Sequence, residues 1–262
     1  MLPELRMNGW RKRIGFISPS IIETTIHDFM RFAPPGIGHV GITSNIETWG
    51  KDHFEGALAR LVQDATSLAT RKVDYIIYAG VPLLVARGKG ADLELIAAIR
   101  KATGVPATTS IRSVIDAFNH LGMRRIAIAS PYPDEVQRDT IAFLHAHDFE
   151  VVKEASMKVG FRVLQDVHPQ TIYQFGRDIL AAAPDADGLY MPCHQWQVQE
   201  VVEALEHDTG KPVIAGDPAD WWAAFRALGI RDRIEGCGRL LRSLSEDEPG
   251  GTRRDGILRQ AS

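Results

Sequence analysis

The chain has 262 residues, 45% of them hydrophobic and 24% charged, with a formal net charge of -3. That balance is typical of soluble globular proteins and leaves no basic footprint for nucleic acid or an anionic membrane surface. No run of about 20 apolar residues is available to span a bilayer, and two cysteines, Cys193 and Cys237, set far apart without a CxxC, make neither a disulfide framework nor a structural zinc site.

The opening stretch MLPELRMNGWRKRIGF is basic but has no apolar segment behind it, so no secretory signal is expected and the location is expected to be cytoplasmic. A short apolar run, IGFIS at 14–18, reads as a buried strand, and 53–72 carries apolar residues at helical spacing. DYIIYAG at 74–80 is the next strand, followed by a helical pattern at 92–103, PATTS at 106–110 and a second helix at 111–122. Then come RIAIAS at 125–130, helical patterns at 133–148 and 171–183, GLYMP at 188–192, a helix at 198–210 and PVIAG at 212–216. The Thr-Gly pairs at 103–104 and 209–210 fit helix C-caps, with Pro106 and Pro212 opening the next strand. From Ser243 the chain is polar and glycine-rich, and 243–262 is expected to be a disordered tail.

The chain also repeats itself. IGFISPS at 14–20 matches IAIASPY at 126–132, and DYIIYAGVP at 74–82 matches DGLYMPCHQ at 187–195. ATGVPATTS at 102–110 answers DTGKPVIAG at 208–216, and LGMRRIAI at 121–128 answers LGIRDRIE at 228–235. Four matches in one order, at nearly constant offset, indicate two homologous halves. Alternating strands and helices predict an α/β fold, each half a parallel sheet flanked by helices. The expected division is 13–116 plus 216–242 for the first half and 117–215 for the second.

Open parallel sheets bind ligands beyond the carboxyl ends of their strands, and in a doubled fold those ends can face one another across a cleft. The residues just after each strand are therefore the candidate site: Ser18, Pro19 and Ser20; Gly80, Val81 and Pro82; Ser130 and Tyr132; Cys193 and His194. By the repeat, the partner of Cys193 is Gly80, which has no side chain, so the site is asymmetric.

At these residues the sequence resembles the aspartate/glutamate racemase superfamily, in its branch of arylmalonate decarboxylases and maleate cis–trans isomerases. The resemblance spans roughly 13–241. It rests on TTSIRSVIDAFNHLGMRRIAIASPYPDEV, on PDADGLYMPC, on TGKPVIAGDPADWW and on GCGRLL. It implies a cofactor-independent enzyme with its site between two pseudo-symmetric halves. Racemases and isomerases of this kind use two cysteines, whose places fall here at Gly80 and Cys193. Arylmalonate decarboxylases keep a glycine at the first and a lone thiol at the second, which protonates the enediolate left by CO2 loss. In other respects the chain departs from the family pattern. Thr-Ser is usual where Val81 and Pro82 stand, and glycine follows the thiol of the decarboxylases where His194 stands here. Valine has no hydroxyl and proline lacks even the backbone donor. Each lost oxyanion donor would cost about 3–4 kcal/mol if nothing replaced it.

The leading expectation is a lyase or isomerase acting at the carbon alpha to a carboxylate, with decarboxylation of a substituted malonate as the best fit. Cys193 is the proton donor, its thiolate favoured by the dipole of the helix expected just after it. Tyr132 and Ser20 are candidate oxyanion or carboxylate donors, with Pro19 and Gly80 lining the site and backbone N–H groups around Val81, Leu83 and His194. His194 either binds a substrate oxygen, serves as a second acid–base group, or is a bland loop residue. The runner-up is a maleate-type isomerase or a racemase, which needs a second acid–base group in place of the missing first thiol. Other classes remain open: a hydrolase or hydratase with Cys193 attacking carbonyl carbon and His194 as base, and a binding protein without turnover. Glu23, His27 and Asp217 also lie near strand ends, and Arg87 and Arg112 are candidate carboxylate partners. With no P-loop and no GxGxxG after a strand, no nucleotide cofactor is expected, and the scattered histidines suggest no metal. The expected partner is a small carboxylic acid, and apolar residues on several helices are compatible with a homodimer or larger homo-oligomer.

Overall fold

A computed structural model describes residues 7–246 except 22, 45, 47, 48 and 50, with 51–58 described as helical backbone only. The first half runs β1 (Lys12–Ser18), α1 (Glu23–Phe32), β2 (Ile37–Thr43), α2 (Lys51–Thr70), β3 (Tyr75–Tyr78), α3 (Val81–Arg87), α4 (Ala91–Thr103), β4 (Ala107–Thr109) and α5 (Ser110–His120). The second runs β5 (Arg125–Ser130), α6 (Asp134–His145), β6 (Glu150–Ser156), a 3-10 turn at Phe161–Asp166, α7 (Pro169–Ala181), β7 (Gly188–Met191), α8 (Gln199–Thr209) and β8 (Val213–Ala215). The described chain closes with α9 (Gly216–Ala227), α10 (Gly238–Arg242) and a 3-10 turn at Ser243–Ser245.

Two four-stranded parallel sheets result, ordered β2-β1-β3-β4 and β6-β5-β7-β8, so the order is the same in both halves. The apolar runs become the inner strands: every residue of β3 and β7 is buried, as strands covered on both faces must be. Strands β2 and β6 do not appear among the sequence-predicted elements. Both are sheet edges, partly exposed along their length, and lack the continuous apolar signal of a buried strand.

The same fastenings recur in both halves. Asp74 accepts the Arg13 N–H at 2.8 Å at the start of β1, and Asp187 accepts the Arg124 and Arg125 N–H groups at 2.7 Å at the start of β5. Gly104 and Gly210 end α4 and α8 in left-handed conformation, and the threonine before each accepts the N–H of the residue that follows the glycine. These devices account for the matched Thr-Gly motifs.

The halves are joined by exchanged helices. The helix leaving the first sheet, α5, packs on α9 from the second; α5 also touches β8, and α9 touches β3 and β4. The buried residues of α9 include Trp221, Trp222 and Phe225, and a helix buried nearly all round carries no amphipathic stripe to betray it in sequence. The tail expected from Ser243 begins later, because Ser243–Ser245 continues as a 3-10 turn that buries Leu244 in the core. The rest of that expected tail, 247–262, lies outside the described residues. No described helix is long and apolar enough to cross a membrane.

Candidate active site

Four strand ends converge on one pocket. After β1 the Ser20 N–H donates to Ser18 Oγ at 3.2 Å, and after β5 the Tyr132 N–H donates to Ser130 Oγ at 3.3 Å. The same hydroxyl-fastened turn therefore presents Ser20 from one half and Tyr132 from the other. With Pro19, Ala79, Val81, Pro82, Cys193, His194 and Gln195 they line a cavity of about 40 Å³, whose walls also include Trp49 and Phe161. Trp49 meets both Tyr132 and Phe161 edge-on, with ring centroids at 5.3 and 4.7 Å. Phe161 and Gln195 also line an outer vestibule of about 310 Å³, which has a polar rim of Glu23, Thr24, Arg162 and Gln165.

Among the residues expected here, Pro19, Ser20, Val81, Pro82, Tyr132, Cys193 and His194 line the pocket. Leu83 does not line it; its backbone N–H, the group expected to serve there, belongs to the first turn of α3. Gly80 is the residue before α3, and a Cβ built on it would lie 2.4 Å from Tyr78 Cε1 and 2.7 Å from the Tyr78 hydroxyl. The space a first thiol would take is thus filled by a tyrosine that is only 1% exposed. Gly80→Cys is expected to lower stability by about 1–3 kcal/mol, as overpacking does, which a urea melt would read. An unchanged midpoint would mean that Tyr78 swings away freely.

Cys193 is half-buried and has φ +87°, a left-handed backbone that costs a residue with a Cβ on the order of 1–3 kcal/mol. Burial pushes its thiol up to about 12, the nearby backbone of Gln195 and Trp196 opposing the rise and Asp217 adding to it, while the Trp196 N–H donates to the Cys193 carbonyl at 3.4 Å. At neutral pH the group is therefore a thiol. This corrects the expectation of a thiolate favoured by a helix dipole. Helix α8 starts only at Gln199, and the intervening turn takes Cys193 beyond the first helical turn, where the dipole acts. Tyr132 is likewise raised well above its ordinary value, by burial and then by Cys193.

His194 lines the pocket, yet its ring turns into the protein. Its Nε2 lies 2.9 Å from Asp220 Oδ2 and 3.2 Å from Ser110 Oγ, and Ser110 Oγ donates to the same Asp220 oxygen at 2.5 Å. Asp217 Oδ1 stands 3.9 Å away and accepts from Thr25 Oγ1 at 2.9 Å. Burial opposes a charge on His194, but Asp217 and Asp220 outweigh it and raise its pKa. Burial pushes Asp217 up to about 7 against the pull of His194. Among the described residues no hydrogen bond joins this ring to the Cys193 thiol, so the arrangement does not supply the base of a cysteine hydrolase.

Of the other charged candidates, Glu23 lies on the vestibule rim, while Arg112 and His27 are engaged elsewhere. Arg112 pairs with fully buried Asp92. His27 binds Asp28 at 2.9 Å on the exposed side of α1 and, with Asp28 and Glu200, forms the only described cluster of metal-ligand type. That cluster lies outside the thiol pocket, and Glu200 already pairs with Arg31. Sequence reasoning missed Ser110, Asp220, Trp49 and Phe161. Ser110 follows β4 directly, so the strand-end rule would have found it had it been applied to every strand. Phe161 sits in a 3-10 turn that leaves no periodic signal.

The arylmalonate decarboxylase family profile matches residues 30–241. The chain is 29% identical over 189 residues to the arylmalonate decarboxylase of Bordetella bronchiseptica, covering 71% of this chain and 79% of that one. It is 24% identical over 246 residues to a maleate isomerase of Nocardia farcinica, covering 88% and 96%. A crystal structure of arylmalonate decarboxylase superposes with a TM-score of 0.77 at 27% identity, over 87% of this chain and 98% of that one. The Nocardia farcinica maleate cis–trans isomerase shares the fold with a TM-score of 0.84 at 19% identity, over 90% and 100%.

Proposed function

The chain belongs to the arylmalonate decarboxylase family, and on that premise we propose that it removes CO2 from a substituted malonate-type acid without a cofactor, Cys193 returning a proton to the carbon left behind. In this reaction the bond from the alpha carbon to one carboxylate breaks and CO2 leaves. The bonding pair stays on carbon and spreads onto the second carboxylate as an enediolate. The Cys193 S–H proton then goes to the alpha carbon, and the thiolate is reprotonated from water.

The observation that carries this reading is a single thiol, with no acid–base partner at Gly80, set beside an apolar wall. Val81, Pro82, Trp49 and Phe161 surround the pocket, and a carboxylate placed against them loses its hydration as it becomes neutral CO2. The same wall explains how Val81 and Pro82 can stand where hydroxyl donors are usual in the family. The enediolate still needs donors, and Tyr132 and Ser20 supply them in this scheme. Tyr132→Phe is expected to lower kcat about 10²-fold, in line with the loss of one oxyanion donor, with the melting temperature unchanged. A Phe variant with wild-type kcat would remove Tyr132 from the reaction.

The likeness to maleate isomerases supports a second reading, in which a Cys193 thiolate adds to a double bond and releases the trans isomer. A thiol pKa near 12 weighs against it. Proton NMR in D2O separates the two, with aryl- and alkylmalonates, maleate and chiral alpha-substituted acids as the panel. Deuterium at one alpha carbon with release of CO2 is the expected result. Conversion of maleate to its trans isomer without CO2 loss would favour the isomerase and overturn the decarboxylase.

A further inference from the structure

We propose that the vestibule is the subsite for the alpha substituent, and that it selects one with an apolar body and an uncharged hydrogen-bond donor, a hydroxyl or an amide N–H, at its far end. The proposal deepens the reading above and rests on the thiol pocket as the place of the reacting carbon.

Phe161 and Gln195 line both cavities, so a group leaving the thiol pocket for the vestibule passes along them. A larger groove of about 560 Å³, lined from α1, β1 and β2, shares only Ser20 with the thiol pocket. In the scheme above Ser20 faces the enediolate, which leaves the vestibule as the way out for the substituent. Ile21, Ile46 and Phe161 form its apolar wall, and Phe161, edge-on to Trp49 at 4.7 Å, carries that wall to the edge of the thiol pocket.

The polar side is fastened from both halves of the chain. Gln195 Nε2 donates to the Ile21 carbonyl at 2.6 Å, and Gln165 Nε2 donates to the Arg162 carbonyl at 2.9 Å. Gln197 Nε2 in turn holds the Gln165 carbonyl. A carbonyl oxygen can be met only by the nitrogen of a side-chain amide, so these contacts fix which way Gln165 and Gln195 point. Among the described residues neither amide oxygen accepts a hydrogen bond. Thr24, beside them, donates its hydroxyl to the His194 carbonyl. What the rim has left to offer is mainly acceptors: two amide oxygens and the Glu23 carboxylate. Glu23 and Arg162 place opposite charges on that one rim, and Arg162 already has a partner. A neutral donor is the complement of such a surface.

The test is isothermal titration calorimetry with unreactive acids that carry a single carboxylate: phenylacetate and its 4-hydroxymethyl, 4-methoxymethyl, 4-aminomethyl and 4-carboxy derivatives. The hydroxymethyl acid is expected to bind about fivefold more tightly than its methoxymethyl counterpart, the effect of one neutral hydrogen bond. Gln165→Leu is expected to bring that ratio to within about twofold, whereas Gln165→Glu, which keeps an acceptor oxygen, retains a preference. A ratio between two ligands on one protein is not moved by a general loss of stability. If Gln165→Leu fails to fold, Gln195→Leu and the wild-type ratio decide. Equal affinities in wild type, a preference that survives the leucine variants, tighter binding of the aminomethyl or carboxy acid, or no binding by any acid overturns the proposal. Binding needs no turnover. A preference for the hydroxymethyl acid in a protein that releases no CO2 from the matching arylmalonate upholds the subsite and counts against the decarboxylase reading alone.

Discussion

Cys193→Ala is expected to lower turnover by about 10³-fold, within the range for loss of a positioned proton donor, while leaving the fold intact. Cys193 is the one thiol of the pocket, and its counterpart by the repeat, Gly80, presents no acid–base group to replace it. Cys193→Gly sharpens the result, because glycine adopts φ +87° without the penalty a Cβ carries. It is expected to be as inactive as the alanine variant yet to melt higher. Deuterium incorporation into product from D2O, measured beside thermal melts of both variants, checks the pair. An alanine variant that incorporates deuterium at the wild-type rate would transfer the donor role to another group.

Arg112→Ala is expected to cost about 3–5 kcal/mol of stability, the usual effect of stripping a buried ion pair of one partner. Its partner Asp92 has a fully buried side chain, and Arg112 itself is 19% exposed. The Arg112 Nε donates to Asp92 Oδ2 at 2.7 Å, whereas Asp92 Oδ1 has no hydrogen bond of its own. Without the guanidinium the carboxylate keeps its desolvation cost and loses its compensation. The same cation also counters the rise that burial imposes on Asp116, one turn along α5. Urea unfolding gives the loss directly, and a melting temperature lower by roughly 10 °C is the corresponding thermal result. A loss below 1 kcal/mol, together with weakened binding of a malonate, would instead return Arg112 to the list of substrate contacts.

The inner strands were legible because a strand covered on both faces must be apolar throughout, and the repeat then fixed their pairing across the halves. Strand ends were legible for the same reason, which is how Cys193, Tyr132 and Ser20 could be named before any coordinates. The edge strands β2 and β6 were not, since a half-wetted strand mixes polar and apolar residues without a firm period. Nor was α9, whose burial on nearly every side erases the helical stripe. His194 stayed open in the sequence because adjacency says nothing about direction. Its partners Ser110 and Asp220 come from the ends of different strands and helices, and only the closed seam brings them to one nitrogen. The thiol's protonation state was misread for a related reason. The helix read at 198–210 was taken to act on the cysteine just ahead of it, but an irregular turn separates them, and burial then raises the thiol.

The exchange of α5 and α9 across the seam has a consequence for how such a chain can be divided. Each sheet is complete in itself, but α5 packs on α9 and reaches β8 while α9 reaches β3 and β4, so a cut between α5 and β5 would part helices that cover one another across the seam.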